Sequence, residues 1–345
     1  MADLFIKQAK QYAENRPGYP KKLFEFIASK TPLHELVWDV GTGSGQAAQS
    51  LARIYKNVIA TDTSLKQLQL APKLPNIRYE HTPPIMSTAE VEQRLTPKSS
   101  LDLVTVAQAL HWFDLPNFYD QIKWALKKPN GVIAAWCYTL PRVNGTVDTT
   151  IDHHYSVDSK PYWDALRKLV DDEYRSIDFP FEAVDGDGET GPFEFVSEKV
   201  MDLEGFLQYL RSWSAYQTAK DKGVELLGSD VVEELKRAWE SDEEGGDGKK
   251  IVKFPVFLRI GKLAFGAERE ALPSGCGYNR SNEYSKSRQL LEQCLAIAPD
   301  WRQALSLKKT VEDRIAKDGV IGIGITASVV GLIAGGIAAA LARKN

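Results

Sequence analysis

The chain has 345 residues, of which 26% are charged, and a formal net charge of -3. This balance is typical of an ordinary globular protein and gives no general electrostatic reason to bind nucleic acid. At roughly 150 residues per domain, the length predicts two domains, or one large domain with an appendage.

The amino-terminal stretch "MADLFIKQAKQYAENRPGYP" carries charges where a secretory signal needs an apolar core, so we expect no signal peptide. Two prolines fix the backbone around Arg16, whose planar guanidinium can bind an acidic substrate through two hydrogen bonds. Tyr12 and Tyr19 lie on the same segment, which we expect to fold over a binding site as a lid. The alternative is a packing clamp with an exposed arginine.

Short apolar runs alternate with helical patterns from residue 36 to about residue 137. The runs "ELVWDV", "NVIATD", "NIRYEH", "LDLVTVAQAL" and "GVIAAWC" predict five strands, and "GQAAQSLARIY" predicts a helix. Apolar strands that alternate with helices are typical of a parallel sheet with both faces covered.

A glycine-rich loop, "VWDVGTGSGQ", follows the first strand. Gly41, Gly43 and Gly45 let the backbone approach a ligand closely and adopt angles that a side chain would forbid. A dinucleotide fingerprint needs glycine at its first, third and sixth positions, and the sixth position here is Gln46. With Asp39 two residues before it, the loop instead resembles the first motif of the class I S-adenosylmethionine-dependent methyltransferases.

A carboxylate follows at the end of the second strand, in "VIATDTS". There Asp62 can accept hydrogen bonds from two ribose hydroxyls. The alternative is that Asp62 only caps a helix and that the glycines are ordinary turn residues. Strand, acid, loop, helix, strand and acid in register favour the cofactor site.

The fourth strand, in "LDLVTVAQALHWFD", ends where open α/β sheets bind ligands. Together with "YAENRPGYP" and "LRSWSAYQ", it resembles a branch of the type 11 methyltransferases near the trans-aconitate methyltransferases and some plant homologues. The resemblance covers about residues 1 to 265. It implies that S-adenosylmethionine is the cofactor, and that cofactor and substrate contacts come from the loop, Asp62, Arg16 and four fourth-strand residues, Ala107, Gln108, His111 and Trp112.

Methyl transfer from a sulfonium mainly requires that the nucleophile, methyl and sulfur are aligned in a dry pocket. A carboxylate acceptor needs no base, and the sequence shows no catalytic constellation. His111 is the candidate general base, and the alternative is that it packs and hydrogen-bonds at a strand end.

Residues 147–239 read as mainly helical, and their aromatic stripes favour core packing over a substrate box. "IVKFPVFLRIGKLAFG" predicts a late strand that closes the sheet. No metal site is expected: the stretch 185–196 departs from a calcium loop at Thr190 and Val196, and we interpret it as a surface loop. Cys137, Cys276 and Cys294 lie far apart, which fits reduced thiols.

The carboxyl-terminal stretch from Val320 to Ala342 contains about 23 residues without charge, enough to span a bilayer. A buried core helix is the competing interpretation, but no surrounding domain remains to bury it. Gly331 and Gly335 form a small-residue face that fits helix pairing and self-association, or simply helix flexibility.

The stretch "YSKSRQLLEQCLAIAPDWRQALSLKKTVEDRIAKDG" and the span after it resemble the carboxyl-terminal half of the plant mitochondrial fission protein, a tail-anchored tetratricopeptide-type adaptor. The resemblance covers residues 277–345 and implies a mitochondrial outer or peroxisomal membrane, with the amino-terminal domain in the cytosol. The earlier helices of that family are missing here. Since repeat helices bury their faces on neighbours, we expect targeting rather than fission activity.

The sequence therefore predicts a Rossmann-like methyltransferase domain at 1–266 with a helical insertion, a junction at 267–276, a partial tetratricopeptide-type segment at 277–318 and a transmembrane anchor at 319–345. The predicted function is methylation of a small molecule, such as a carboxylate, at a membrane, without a nucleic-acid partner. The alternatives are a membrane adaptor with an inactive methyltransferase-like scaffold, and two neighbouring genes joined in one gene model.

Overall fold

The computed structural model of the protein describes residues 16–241 and 248–263. Tyr12, the junction, the tetratricopeptide-type segment and the expected membrane span lie outside these ranges. Within them, no helix combines the length and the apolar character needed to cross a bilayer.

The described residues form one mixed sheet with the strand order β3-β2-β1-β4-β5-β7-β6. The strands are β1 (Leu36–Val40), β2 (Asn57–Asp62), β3 (Ile77–His81), β4 (Leu103–Ala107), β5 (Val132–Tyr138), β6 (Phe193–Met201) and β7 (Lys250–Lys262). The first five pair in parallel, and β7 runs antiparallel between β5 and β6. The five predicted strands and the late strand are thus confirmed.

The central strands are buried on both faces, as expected for a covered parallel sheet. On β1, Val37 belongs to the apolar core of one face and Trp38 to the core of the other. All seven residues of β5 are buried. This explains why these strands appear in the sequence as continuous apolar runs.

The edge strand β6 corrects one prediction. Residues 185–196 were expected to form a surface loop, but the edge strand begins at Phe193, inside that stretch. Val196 and Val200 are exposed on this strand, so its sequence lacks the alternation of apolar and polar residues that marks a half-buried strand.

The helices cover the sheet and extend the fold between β5 and β7. They are α1 (Lys21–Ser29), α2 (Gln46–Leu51), α3 (Leu65–Leu70), α4 (Thr88–Arg94), α5 (Leu115–Ala125), α6 (Gly145–His153), α7 (Arg167–Asp171), α8 (Leu203–Arg211), α9 (Ser214–Asp221) and α10 (Ser229–Glu240). The predicted helical insertion is confirmed, although β6 divides it into two parts.

Two short helices position the candidate site. Helix α2 begins directly after Gly45, so its amino-terminal N–H groups lie at the end of the glycine loop. Helix α3 begins after Ser64, whose side chain accepts a hydrogen bond from the Gln67 N–H and caps the helix. Both helices therefore start at the carboxyl-terminal edge of the sheet.

Candidate active site

The loop between β1 and α2 has a backbone that requires glycine. Gly41, Gly43 and Gly45 have φ angles of 66°, 58° and 82°, in the left-handed region. A methyl group on Gly41 would lie 2.9 Å from the Cβ of Ala109, and one on Gly45 would lie 2.6 Å from the Oη of Tyr79. A methyl group on Gly43 would meet only the Oε1 of Gln46, at an ordinary distance of 3.8 Å, so there is room beside the backbone of Gly43.

Asp39, on β1, holds the loop in place. It is fully buried, and its two carboxylate oxygens accept hydrogen bonds from the hydroxyls of Thr42, at 2.5 Å, and Thr105, at 2.7 Å. Burial raises the pKa of Asp39 to about 6, although both threonine hydrogen bonds oppose the rise. The geometry makes Asp39 a residue that positions the loop.

Asp62 links the end of β2 to the loop. One carboxylate oxygen accepts a hydrogen bond from the Gly43 N–H and the other from the Ser64 N–H, each at 2.8 Å. Burial raises the pKa of Asp62, and hydrogen bonds from backbone N–H groups oppose the rise. An ionised carboxylate can accept about four hydrogen bonds, so Asp62 retains acceptor capacity for a ligand.

A cavity of about 440 Å³ opens at the carboxyl-terminal edge of β1, β2, β3 and β4. Gly41, Gly43, Asp62, Ala107 and Trp112 contribute to its wall, which continues along residues 82–86 and α5. A second cavity of about 30 Å³ shares Gly41, Gly43 and Ala107 with it. Both cavities therefore border the glycine loop, which fits the ligand-binding edge of an open α/β sheet.

Comparison with known proteins decides the family. The profile of the family described as "Methyltransferase domain" matches residues 38–135. A protein of Dictyostelium discoideum named as a methyltransferase is 34% identical over 265 residues, which is 75% of this chain and 95% of that protein. The chain belongs to the methyltransferase family. The predicted resemblance is thereby confirmed.

A solved structure supports the same assignment. It is described as a type II methyltransferase from Anaeromyxobacter dehalogenans, and it is 30% identical with a TM-score of 0.60. The alignment covers 72% of this methyltransferase and 97% of that chain. A protein of Saccharomyces cerevisiae named as an S-adenosylmethionine-dependent methyltransferase is 25% identical over 260 residues, covering 66% of this chain and 87% of that protein.

The same methyltransferase chain carries a second family match. The profile "Fis1 C-terminal tetratricopeptide repeat" matches residues 275–320. Mitochondrial fission 1 protein A of Arabidopsis thaliana is 66% identical over 72 residues, which is 20% of this chain and 42% of that protein. The chain thus spans less than half the length of this fission protein. The predicted fission-protein resemblance is confirmed for that part.

The segment that leads into α1 places Arg16 beside the smaller cavity of the methyltransferase. Its guanidinium donates hydrogen bonds to the Oη of Tyr138, at 2.5 Å, and to the carbonyl of Ser212, at 2.7 Å. Tyr19 lines the same cavity, and its ring packs edge-on to Trp136 at 5.4 Å. Arg16 therefore clamps this segment to the sheet and also reaches the wall of a cavity.

Of the residues predicted at the end of the fourth strand, Ala107, Gln108 and Trp112 line the larger cavity. Gln108 also forms hydrogen bonds to the neighbouring strand. The Gln108 side chain accepts a hydrogen bond from the Tyr138 N–H at 2.6 Å and donates one to the Tyr138 carbonyl at 3.3 Å. Its amide thus extends the pairing of β4 with β5. Gln108 borders the cavity, but both polar atoms of its side chain are engaged by the backbone.

His111, the candidate general base, lies just past the end of β4. It is buried, lines neither of the two cavities, and its Nδ1 is 2.9 Å from the Oη of Tyr174. Burial, followed by the positive charge of Arg167, lowers the pKa of His111 to about 3. Its imidazole is therefore neutral near pH 7 and a weak proton acceptor. This geometry matches the packing alternative.

Three residues near the site were missed by sequence reasoning. Thr105 bonds Asp39 because the two are register partners on β4 and β1. This pairing becomes visible only once the strand order is known. Tyr138 and Arg167 carry no motif in the sequence, because each meets the site through residues far away in the chain.

Proposed function

We propose that the chain transfers the methyl group of S-adenosylmethionine to a small-molecule acceptor, and that its carboxyl-terminal segment attaches it to a membrane. One observation carries the catalytic part of the proposal. The glycine loop is held by two hydrogen bonds, one from the Thr42 hydroxyl to Asp39 and one from the Gly43 N–H to Asp62. A cavity of about 440 Å³ lies beside it. The family membership supports the same reaction.

The residues at this edge fit S-adenosylmethionine. Asp62 would accept hydrogen bonds from the two ribose hydroxyls of the cofactor, which need adjacent acceptor oxygens at the end of β2. Gly43, which has room beside its backbone, allows a ligand to approach the loop closely. The smaller cavity, which Arg16 and Gln46 line, adjoins the same loop, and the positive charge of Arg16 there favours the carboxylate of the amino-acid end of the cofactor.

The bound cofactor supplies an electrophilic methyl group on a sulfonium, so the protein has to align the acceptor and exclude water. The described residues offer aromatic and apolar walls for this purpose, including Trp112 and Phe113. Because His111 is buried and neutral, an acceptor with an already ionised nucleophile, such as a carboxylate, fits this site best.

Calorimetry of the full-length chain in mild detergent with S-adenosylhomocysteine tests the enzymatic proposal. We expect saturable binding with one site per chain, followed by transfer of labelled methyl from S-adenosylmethionine to small carboxylates. If no binding occurs at millimolar cofactor, the enzyme proposal fails. The alternative, a fission-type membrane adaptor with an inactive scaffold, would then stand, supported by the match at residues 275–320.

The membrane part of the proposal rests on the uncharged stretch from Val320 to Ala342 and on the fission-protein match before it. Fusing residues 277–345 to a fluorescent protein tests it. We expect the fusion to mark the surface of mitochondria or peroxisomes, with the fluorescent domain accessible to protease from the cytosol. Diffuse fluorescence would contradict the attachment.

A further inference from the structure

Arg167 begins α7, in the insertion between β5 and β6. Its Nε donates hydrogen bonds to the Oη of Tyr155, at 2.9 Å, and to a carboxylate oxygen of Asp171, at 3.2 Å. The Tyr155 hydroxyl also donates to the same Asp171 oxygen. The guanidinium lies over the ring of Trp163 at 5.0 Å and over that of Tyr155 at 5.6 Å.

The two terminal nitrogens of Arg167 are still available. Among the described residues, neither Nη donates a hydrogen bond, and neither is among the fully enclosed polar atoms. The side chain is mostly buried, with 17% of its surface exposed. An arginine that only serves a structural ion pair commonly uses its terminal nitrogens for a two-point bond with a carboxylate. In this protein Asp171 accepts a hydrogen bond from the Nε only.

Arg167 lines neither of the two cavities. Three packed aromatic side chains, Trp163, Trp213 and Tyr209, form an aromatic wall that runs from Arg167 to Arg16. The ring centroids of Trp163 and Trp213 lie 5.5 Å apart, and those of Trp213 and Tyr209 lie 6.0 Å apart. At the other end of this wall, the guanidinium of Arg16 lies 5.7 Å from the Tyr209 ring. Arg16 in turn lines the smaller cavity beside the glycine loop.

Electrostatics agree with this placement. Burial raises the pKa of Tyr209 to about 12, and the positive charges of both Arg16 and Arg167 oppose the rise. Arg167 also contributes to the low pKa of His111, just past the end of β4. The charge of Arg167 therefore acts on His111 at the end of β4 and on Tyr209 in the aromatic wall.

Resting on the proposed methyltransferase function, we infer that Arg167 binds a carboxylate of the methyl acceptor through its two free Nη groups. A carboxylate that shares its oxygens with a guanidinium is a poorer nucleophile, because those lone pairs are engaged. The carboxylate at Arg167 is therefore a recognition group, and the acceptor carries a separate nucleophile that takes the methyl. The acceptor class is a small acid with a second nucleophilic group.

Paired acids and amides test this inference on the full-length chain saturated with S-adenosylhomocysteine. The probes are succinate with succinamide and 4-hydroxybenzoate with 4-hydroxybenzamide, measured by calorimetry. We expect at least one acid to bind the unaltered chain about tenfold more tightly than its amide, because the amide cannot form the charged two-point bond. Arg167→Gln should abolish this preference, and Arg167→Lys, which keeps the charge without the fork, should weaken it.

Affinity for S-adenosylhomocysteine shows that each variant is folded, and it should be unchanged in both. The matched control is Arg175→Gln: Arg175 is 52% exposed, pairs with Glu173, and should affect neither ligand. If Arg167→Gln fails to bind S-adenosylhomocysteine, that variant is not folded, and the preference for the acid is then compared between the unaltered chain and Arg167→Lys. The inference is wrong if no acid is preferred over its amide, or if the preference survives in the folded variants. Failure of the unaltered chain to bind S-adenosylhomocysteine would instead overturn the proposed function.

Discussion

Asp62 is the last residue of β2. One of its carboxylate oxygens accepts a hydrogen bond from the Gly43 N–H and the other accepts one from the Ser64 N–H. Asp62→Ala removes both the ribose acceptor and a contact that holds the loop. Since a hydrogen bond to a charged group contributes about 1.5–3 kcal/mol, affinity for S-adenosylhomocysteine should fall roughly tenfold to a hundredfold. Calorimetry checks this. Asp152→Asn, at a half-exposed surface pair with Arg142, is the control and should bind normally.

Asp39 makes the fold sensitive to pH in a predictable direction. Burial raises its pKa from 3.8 to about 6, so the folded chain holds this proton more tightly than the unfolded chain does. The contribution of Asp39 to the free energy of unfolding is therefore complete below about pH 4 and is lost as the pH rises through about 6. The difference amounts to about 3 kcal/mol.

Asp39→Asn tests this, because an amide does not ionise. Relative to the unaltered chain, the variant should gain up to about 3 kcal/mol in the free energy of unfolding between about pH 4 and about pH 7.5. Urea unfolding at the two pH values measures the difference. Asp62 is present in both proteins, and its charge is the smallest of the causes that shift the pKa of Asp39, so its own titration contributes little to the difference. Parallel pH dependences in the two proteins would contradict the assignment.

Asp62, Gly41 and Gly43 line a cavity, and the sequence could single them out because their motif lies within a continuous stretch. Gln108 and His111 differ, because their partners come from distant parts of the chain. Gln108 bonds Tyr138, 30 residues away, and His111 bonds Tyr174, 63 residues away. A strand-end position predicted that these two residues lie at the site's edge, but it did not predict which direction their side chains face.

At the scale of elements, two glycines of the same loop should affect different properties: Gly43 the binding of the ligand, and Gly45 the stability of the fold. Gly43→Ala adds a methyl group that meets only the Oε1 of Gln46, at 3.8 Å, so it should cost only about 1 kcal/mol of stability for its left-handed backbone. The methyl group intrudes where the ligand approaches the loop, so affinity for S-adenosylhomocysteine should fall about tenfold or more.

Gly45→Ala should lower stability more than it lowers affinity for S-adenosylhomocysteine. Its methyl group would lie 2.6 Å from the Tyr79 hydroxyl and 3.3 Å from the Cβ of Ala71. The variant should therefore lose about 2 kcal/mol or more of stability, measured by thermal or urea unfolding. Gly145→Ala is the matched control, because a methyl group there meets nothing within 4 Å. Equal stability losses for Gly43→Ala and Gly45→Ala would contradict this division.

The edge strand shows where element prediction from sequence fails. The central strands were predictable because burial on both faces makes their sequences continuously apolar. β6 pairs with β7 on one side only, and its outward residues alternate between Glu194, Val196, Glu198 and Val200. Pairing with β7, rather than its own pattern, holds this strand in the sheet, and a local reading of the sequence does not contain that information.

At the scale of the whole chain, two matches with no residues in common divide the sequence: the methyltransferase profile covers residues 38–135 and the fission-protein profile covers residues 275–320. If the second module only determines where the chain resides, then catalysis and membrane attachment depend on separate residues. Changes in one module should leave the other function intact, which gives the proposal a direct test.

Leu332 lies near the middle of the uncharged stretch from Val320 to Ala342. An arginine at the centre of a membrane helix costs about 2.5–3.5 kcal/mol, and this stretch is only weakly hydrophobic because of its glycines and alanines. Leu332→Arg should therefore move the full-length chain from the carbonate-resistant membrane fraction to the soluble fraction. Its affinity for S-adenosylhomocysteine should stay the same. Asp318→Arg, which adds positive charge outside the stretch, is the control and should remain membrane-bound. If Leu332→Arg stays with the membrane, the attachment does not depend on this span.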